Sequence, residues 1–107
     1  MPVTGIINKV AQTASLADGA THTQTYTMPV DWSLRDGRIS VNAAGACSYH
    51  IKINETVIHR SGVSAEKPSD VRELRDTHGP NTVIAVEVTN DSGGALEVNT
   101  DISGLQY

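Results

Sequence analysis

The stretch Tyr49-His50-Ile51-Lys52-Ile53-Asn54-Glu55-Thr56-Val57-Ile58-His59 decides the fold. Tyr49, Ile51 and Ile53 alternate with His50, Lys52 and Asn54, the two-residue beat of a half-buried strand. Asn54-Glu55 fits the centre of a tight hairpin turn. Both central residues there need positive φ, which Asn adopts readily and Glu less readily than Gly. A turn at this point pairs Ile53 with Thr56, Ile51 with Ile58 and His50 with His59. That register sends Tyr49, Ile51, Ile53, Thr56 and Ile58 inward, and His50, Lys52, Val57 and His59 outward. A slip of one residue scatters the apolar set over both faces.

The same beat recurs on either side. Val and Ile together number 19 and Thr 11, against 5 Leu, and branching at Cβ suits a pleated surface better than a helix. A first strand is predicted from about Val3 to Leu16. Asp18-Gly19 then turns the chain into a return strand, about Thr21 to Met28. Thr21, Thr23, Thr25 and Thr27 share one face of it. His22, Gln24, Tyr26 and Met28 share the other, which is the better core face. Asp36-Gly37 reads as a turn into Arg38–Asn42. Ile84, Val86 and Val88 read as one arm of a last hairpin, and Leu96, Val98 and Ile102 as the other. With Asp91-Ser92-Gly93 as its loop, Val88 lies opposite Leu96, Val86 opposite Val98 and Glu87 opposite Glu97. Residues 61–80 lack the beat and are rich in charge of both signs, with Ser69 placed to cap a short helix that Gly79-Pro80 would stop. The prediction is a single all-β domain over 1–107. It is an antiparallel, jelly-roll-like β-sandwich of roughly six to eight short strands, with one long charged connection that has room for a short helix.

Composition excludes several classes of function. The 107 residues include no Phe, so the core is built from small aliphatics. The net charge of −4 argues against duplex nucleic acid as a partner. No run of about 18 apolar residues is present to span a membrane as a helix. No basic-then-apolar leader opens the chain, so export by a signal peptide is not expected. The single cysteine, Cys47, rules out an internal disulfide and multi-cysteine zinc sites, and reads as a small buried hydrophobe. There is no Gly-x-Ser-x-Gly elbow, His-Glu-x-x-His, Cys-x-x-Cys or phosphate-binding glycine loop. Neither an enzyme nor a cofactor is expected.

The candidate contact residues follow from the predicted registers. His50 and His59, as cross-strand neighbours, are close enough to share a metal. No third ligand is in view and Lys52 lies on the same face, so a surface or interface pair is the expectation. Glu87 opposite Glu97, extended by Asp101, makes an acidic stripe suited to Arg or Lys from a partner. Arg72 and Arg75 belong to the 61–80 segment, long enough to reach a neighbour. Met1–Ile7 offers an arm for strand pairing between subunits. Trp32, on a loop, either plugs one end of the sandwich or stacks on a sugar.

A short all-β chain without a catalytic motif resembles the small β-sandwich proteins of tailed-bacteriophage virions, the head decoration (cement) and tail accessory proteins. The hairpin from Tyr49 to Ile58 is similar to hairpins of such virion modules, with Asn54-Glu55-Thr56 where Asn-Gly-Thr is more usual. The resemblance implies a subunit made in the host cytoplasm and carried in the virion. It would form a homo-oligomer, with a trimer favoured, and bind the major capsid protein or other virion proteins by contact alone. The competing reading is a carbohydrate-binding or receptor-binding tail-fibre module that uses Trp32.

Overall fold

A computed structural model describes residues 5–107. Residues 1–4, which hold most of the expected Met1–Ile7 arm, lie outside the described residues. The chain forms eight strands: β1 (Gly5–Leu16), β2 (Thr21–Thr27), β3 (Leu34–Ala43), β4 (Cys47–Ile53), β5 (Thr56–Val63), β6 (Ser69–Leu74), β7 (Val83–Asn90) and β8 (Leu96–Gln106). They make two antiparallel four-stranded sheets, in the orders β1-β8-β3-β6 and β2-β7-β4-β5. Every connection passes from one sheet to the other except the β4–β5 hairpin. Such alternation is the winding of an eight-stranded jelly roll.

Alternation along the strands builds the core. Ile39, Val41, Val98 and Ile102 from the first sheet meet Tyr49, Ile51, Ile84, Val86 and Val88 from the second, all buried. On β2 the buried side chains are His22 and Gln24, Met28 is buried just beyond its end, and the threonine row is exposed, as the sequence indicated. The Asn54-Glu55 turn forms as read, with φ of 49° and 69°.

Three expectations about connections are corrected. The strands flanking Asp18-Gly19 do not pair with each other: β1 joins β8 and β2 joins β7. The strands flanking Asp91-Ser92-Gly93 likewise part, β7 lying between β2 and β4, and β8 between β1 and β3. Val86 and Val98, expected side by side in one hairpin, therefore enter the core from opposite sheets. Asp36-Gly37 is not a turn before a strand but an irregularity inside β3, where the register against β8 shifts between Arg35 and Arg38. Asp36 takes a φ of 50°, a conformation short polar side chains tolerate.

Candidate functional site

The predicted short helix is strand β6. Its backbone pairs Ser69–Leu74 with Asn42–Gly37 of β3, and the ladder satisfies an edge that a helix would leave open. Leu74 is buried at its end. Asp70 on β6 accepts a hydrogen bond from the Tyr49 hydroxyl at 2.5 Å and an ion pair from Lys67 at 3.3 Å. The Tyr49 bond holds the Asp70 carboxyl below its ordinary range. Burial first, and Asp70 second, push the Tyr49 phenol far above its own. This bond clasps the two sheets together on the side bounded by edge strands β5 and β6.

The hairpin register beside that clasp differs from the prediction. Ile53 pairs with Thr56 and Lys52 with Val57, but a bulge between Ile51 and Lys52 then places Ile51 opposite His59 and His50 opposite Arg60. His50 and His59 therefore do not form a pair. His59 shares the inner side with Ile51 and rests obliquely on the Tyr49 ring, with centroids 5.9 Å apart. Ile58, the extra residue of the bulge, is pushed out to 47% exposure instead of entering the core. A cleft of about 460 Å³ opens at this place, lined by Ile53, Ile58, Leu74, Arg72, Arg75 and His78 among others. His78 Nε2 is buried without a hydrogen-bond partner. Arg72 and Arg75, singled out in the sequence, thus come together with aliphatic surface that the predicted register had hidden.

The acidic stripe does not exist as a unit, because β7 and β8 belong to different sheets. Glu87 lies on the outer face of the β2-β7-β4-β5 sheet, opposite His50. His50 Nε2 is 2.6 Å from Glu87 Oε1, and Lys52 Nζ is 3.3 Å from Oε2. Burial raises the Glu87 pKa, but the hydrogen bonds from His50 and Lys52 outweigh it and leave the carboxyl below its ordinary range. Glu97 and Asp101 lie on the outer face of the other sheet. Gln12 donates to Glu97. With its amide turned to satisfy both ends, Asn8 donates to Asp101 at 2.8 Å. Burial raises the Asp101 carboxyl. Trp32 is partly buried and packs against the core, in the plugging role.

One polar cluster escaped the sequence reading. His22 is held on both sides, with Nδ1 2.7 Å from Thr13 Oγ1 and Nε2 2.9 Å from Thr100 Oγ1. Thr100 in turn donates to Gln24 Oε1 at 2.7 Å, and Gln24 donates to the Lys9 carbonyl at 2.8 Å. Since Thr100 gives its proton to Gln24, it accepts from His22, which fixes the neutral Nε2–H tautomer. Burial lowers the His22 pKa from the ordinary imidazole value of 6.5. The unfolded chain therefore binds this proton more readily than the folded one. Stability is full above 6.5 and falls as pH drops from there toward the folded-state value. Urea melts across that range are expected to show this loss in the natural chain and a flatter profile in His22→Gln. Equal slopes in the two proteins would contradict it. The signal available in the sequence was the alternation that put His22 and Gln24 on the Met28 face, but nothing there named Thr13 and Thr100 as partners.

Among the described residues, no three His, Cys, Asp or Glu side chains gather into a group that could hold a metal ion. No family model and no curated protein matches the chain. Among solved structures, a de novo designed double-stranded β-helix is similar over 88% of this chain and 97% of its own, with a TM-score of 0.52 and 12% identity. That likeness agrees with the jelly-roll winding and concerns the fold alone. The insecticidal delta-endotoxin Cry8Ea1 of Bacillus thuringiensis matches over 90% of this chain and 19% of its own, at 9% identity and a TM-score of 0.45. Dimeric latent PorU of Porphyromonas gingivalis matches over 97% of this chain and 13% of its own, at 10% identity and a TM-score of 0.45.

Proposed function

We propose that the chain is a structural protein of a bacteriophage virion, a capsid decoration protein that docks on the head shell by contact and performs no chemistry. The observation that carries this reading is the β5/β6 side of the sandwich. There Ile58 stands 47% exposed and shares a cleft with Ile53, Leu74, Arg72 and Arg75. Aliphatic surface among arginines is the composition that protein interfaces favour. The Tyr49–Asp70 bond holds the two sheets together just behind this surface, so it is presented on a braced edge. The winding adds weaker support by analogy, since jelly rolls build many viral shells, although they also build lectins.

Cosedimentation with phage heads stripped of their decoration tests the reading. The natural chain is expected to bind saturably. Arg72→Glu combined with Arg75→Glu is expected to weaken binding about tenfold or more while leaving the melting curve in place, because both side chains are exposed. Binding that survives both substitutions overturns the docking surface. Absence of binding together with a saturable change in Trp32 fluorescence on adding glycans would replace the reading with a sugar-binding module.

A further inference from the structure

The two open sides of the sandwich are protected very differently. The β5/β6 side carries a bulge, and its strands hold His59, Arg60, Asp70, Arg72 and Glu73. Charge and bulges are the usual means by which edge strands avoid pairing with other chains. The β1/β2 side lacks them at its centre. β1 is the longest strand at 12 residues, holds no Pro, Asp or Glu, and pairs in unbroken register with β8 from Gly5 to Thr13. Its one charge, Lys9, lies on the inner side with its ammonium 5.8 Å from the centre of the Tyr26 ring. β2, on the same side of the sandwich, carries no Asp, Glu, Lys or Arg.

The outer face of β1 reads Ile6, Asn8, Val10, Gln12, Ala14. That is apolar, amide, apolar, amide, apolar, the same in both directions about Val10. Ile6 and Val10 are 79% and 66% exposed, among the most exposed aliphatic side chains described. We propose that β1 is the seam of a two-fold homodimer, in which the β1 strands of two copies pair antiparallel about Val10. Val10 then meets Val10 of the second copy, Asn8 meets Gln12, and Ile6 meets Ala14. On the inner side Lys9 falls opposite Ala11 and Ile7 opposite Thr13, so no like charges are set against each other. Shifting the axis by one residue to Lys9 would oppose two ammonium groups, and shifting it to Ala11 would set Val10 against Gln12 and Asn8 against Ala14, apolar against amide. Each strand presents every second N–H and C=O outward, and the pairing satisfies them. A two-fold contact uses the same patch on both copies, as a self-complementary strand requires.

The size is adequate. From Ile6 to Ala14 the seam is about 30 Å long at strand rise. Across a body whose shorter extents are 22 and 21 Å, it covers on the order of 600 Å² of each copy, within the range of specific interfaces. The inference goes beyond the proposed function and stands or falls without it, since shell binding plays no part in the readout. It replaces the expected three-fold oligomer with a two-fold one.

Sedimentation equilibrium and native mass spectrometry of the full chain test it. The natural protein is expected to be a dimer. Val10→Lys puts two ammonium groups on the axis and is expected to raise the dissociation constant about a hundredfold or more, with unchanged circular dichroism because Val10 is exposed. Mixing Val10→Lys with Val10→Glu is expected to restore a dimer of the two variants. Asn42→Lys, exposed on the same face but away from the seam, is expected to leave the natural dimer intact. A natural chain that is a monomer or trimer overturns the seam. So does a Val10→Lys protein that stays dimeric, or a Lys/Glu mixture that fails to associate.

Discussion

Replacing Asn90 with leucine is expected to destabilise the protein by about 4 kcal/mol, one of the largest effects of any single exposed-to-buried or polar-to-apolar exchange in the chain. Asn90 ends β7 and is fully buried. Its Nδ2 donates to the Leu16 carbonyl at 2.8 Å and to the Gly94 carbonyl at 2.7 Å. Its Oδ1 accepts from the Ser92 N–H at 2.8 Å. Its backbone accepts from Gly19 and donates to Ala20. One side chain therefore ties the end of β1 to the loop between β7 and β8, beside the loop that carries the chain from β1 to β2. Leucine has a similar volume and fills the space, but it strips the Leu16 carbonyl and the Ser92 N–H of the amide, while the Gly94 carbonyl keeps the Ser92 hydroxyl. Each stranded buried group costs about 1–3 kcal/mol, lowered where the loop relaxes toward water. For a domain of this size the loss corresponds to a fall in melting temperature of about 15 °C or more. Thermal and urea melts measure it. A loss below about 1 kcal/mol would mean that water reaches the Leu16 carbonyl and the Ser92 N–H and takes over the role of the amide.

Asn90 also shows why the fold was only partly legible. The alternation of Ile84, Val86 and Val88, and of Leu96, Val98 and Ile102, states which side chains are buried. It does not state which sheet each strand joins. A glycine-rich loop that folds two strands into a hairpin and one that carries the chain across a sandwich have the same composition, and here the crossing is stapled by Asn90. The distinction lies in pairings between distant segments, β1 with β8 and β2 with β7, which no local pattern encodes. The β4–β5 hairpin was readable because its pairing is local and its turn needs two positive φ values.

The candidate contact residues fared according to the same rule. Arg72 and Arg75 stand near where the charged segment was expected to expose them. The stripe of Glu87, Glu97 and Asp101 dissolved when β7 and β8 went to different sheets. The His50–His59 pair dissolved when a bulge inserted Ile58. The bulge sets His59 beside Tyr49 within the hairpin, and neither the turn residues nor the alternation marks where the extra residue falls. Val71 belonged to a segment given room for a short helix because it lacks the two-residue beat and Ser69 could cap it, whereas an edge strand tolerates charge on the side that meets water.

The second large effect is expected at Gly104, in β8 where β3 carries its irregularity. A Cβ at this position would run into Leu34 Cδ1, and would lie 3.0 Å from the Arg35 carbonyl oxygen and 3.1 Å from Gly37 Cα. Leu34 is fully buried, so its side chain has no open space to enter. Gly104→Ala is therefore expected to cost about 3 kcal/mol, at the upper end for an overpacked core. Leu34→Ala alone is expected to cost about 3 kcal/mol by leaving a cavity. The two changes do not add. Truncating Leu34 removes the worst contact of the new methyl, and the methyl partly fills the space that Leu34 vacates. The double variant is expected to be more stable than the sum of the single losses predicts by about 1–2 kcal/mol. A residue of destabilisation should remain, because the contacts with the Arg35 oxygen and Gly37 Cα belong to the backbone and are untouched by the Leu34 change. Urea unfolding of the four proteins closes the cycle. Strict additivity would place the strain of Gly104→Ala in the β3 backbone alone, and full rescue would place it in the Leu34 side chain alone. The expected intermediate value means that β3 bends around Gly104 with both its backbone and its leucine, which is why glycine stands at this point of an otherwise regular central strand.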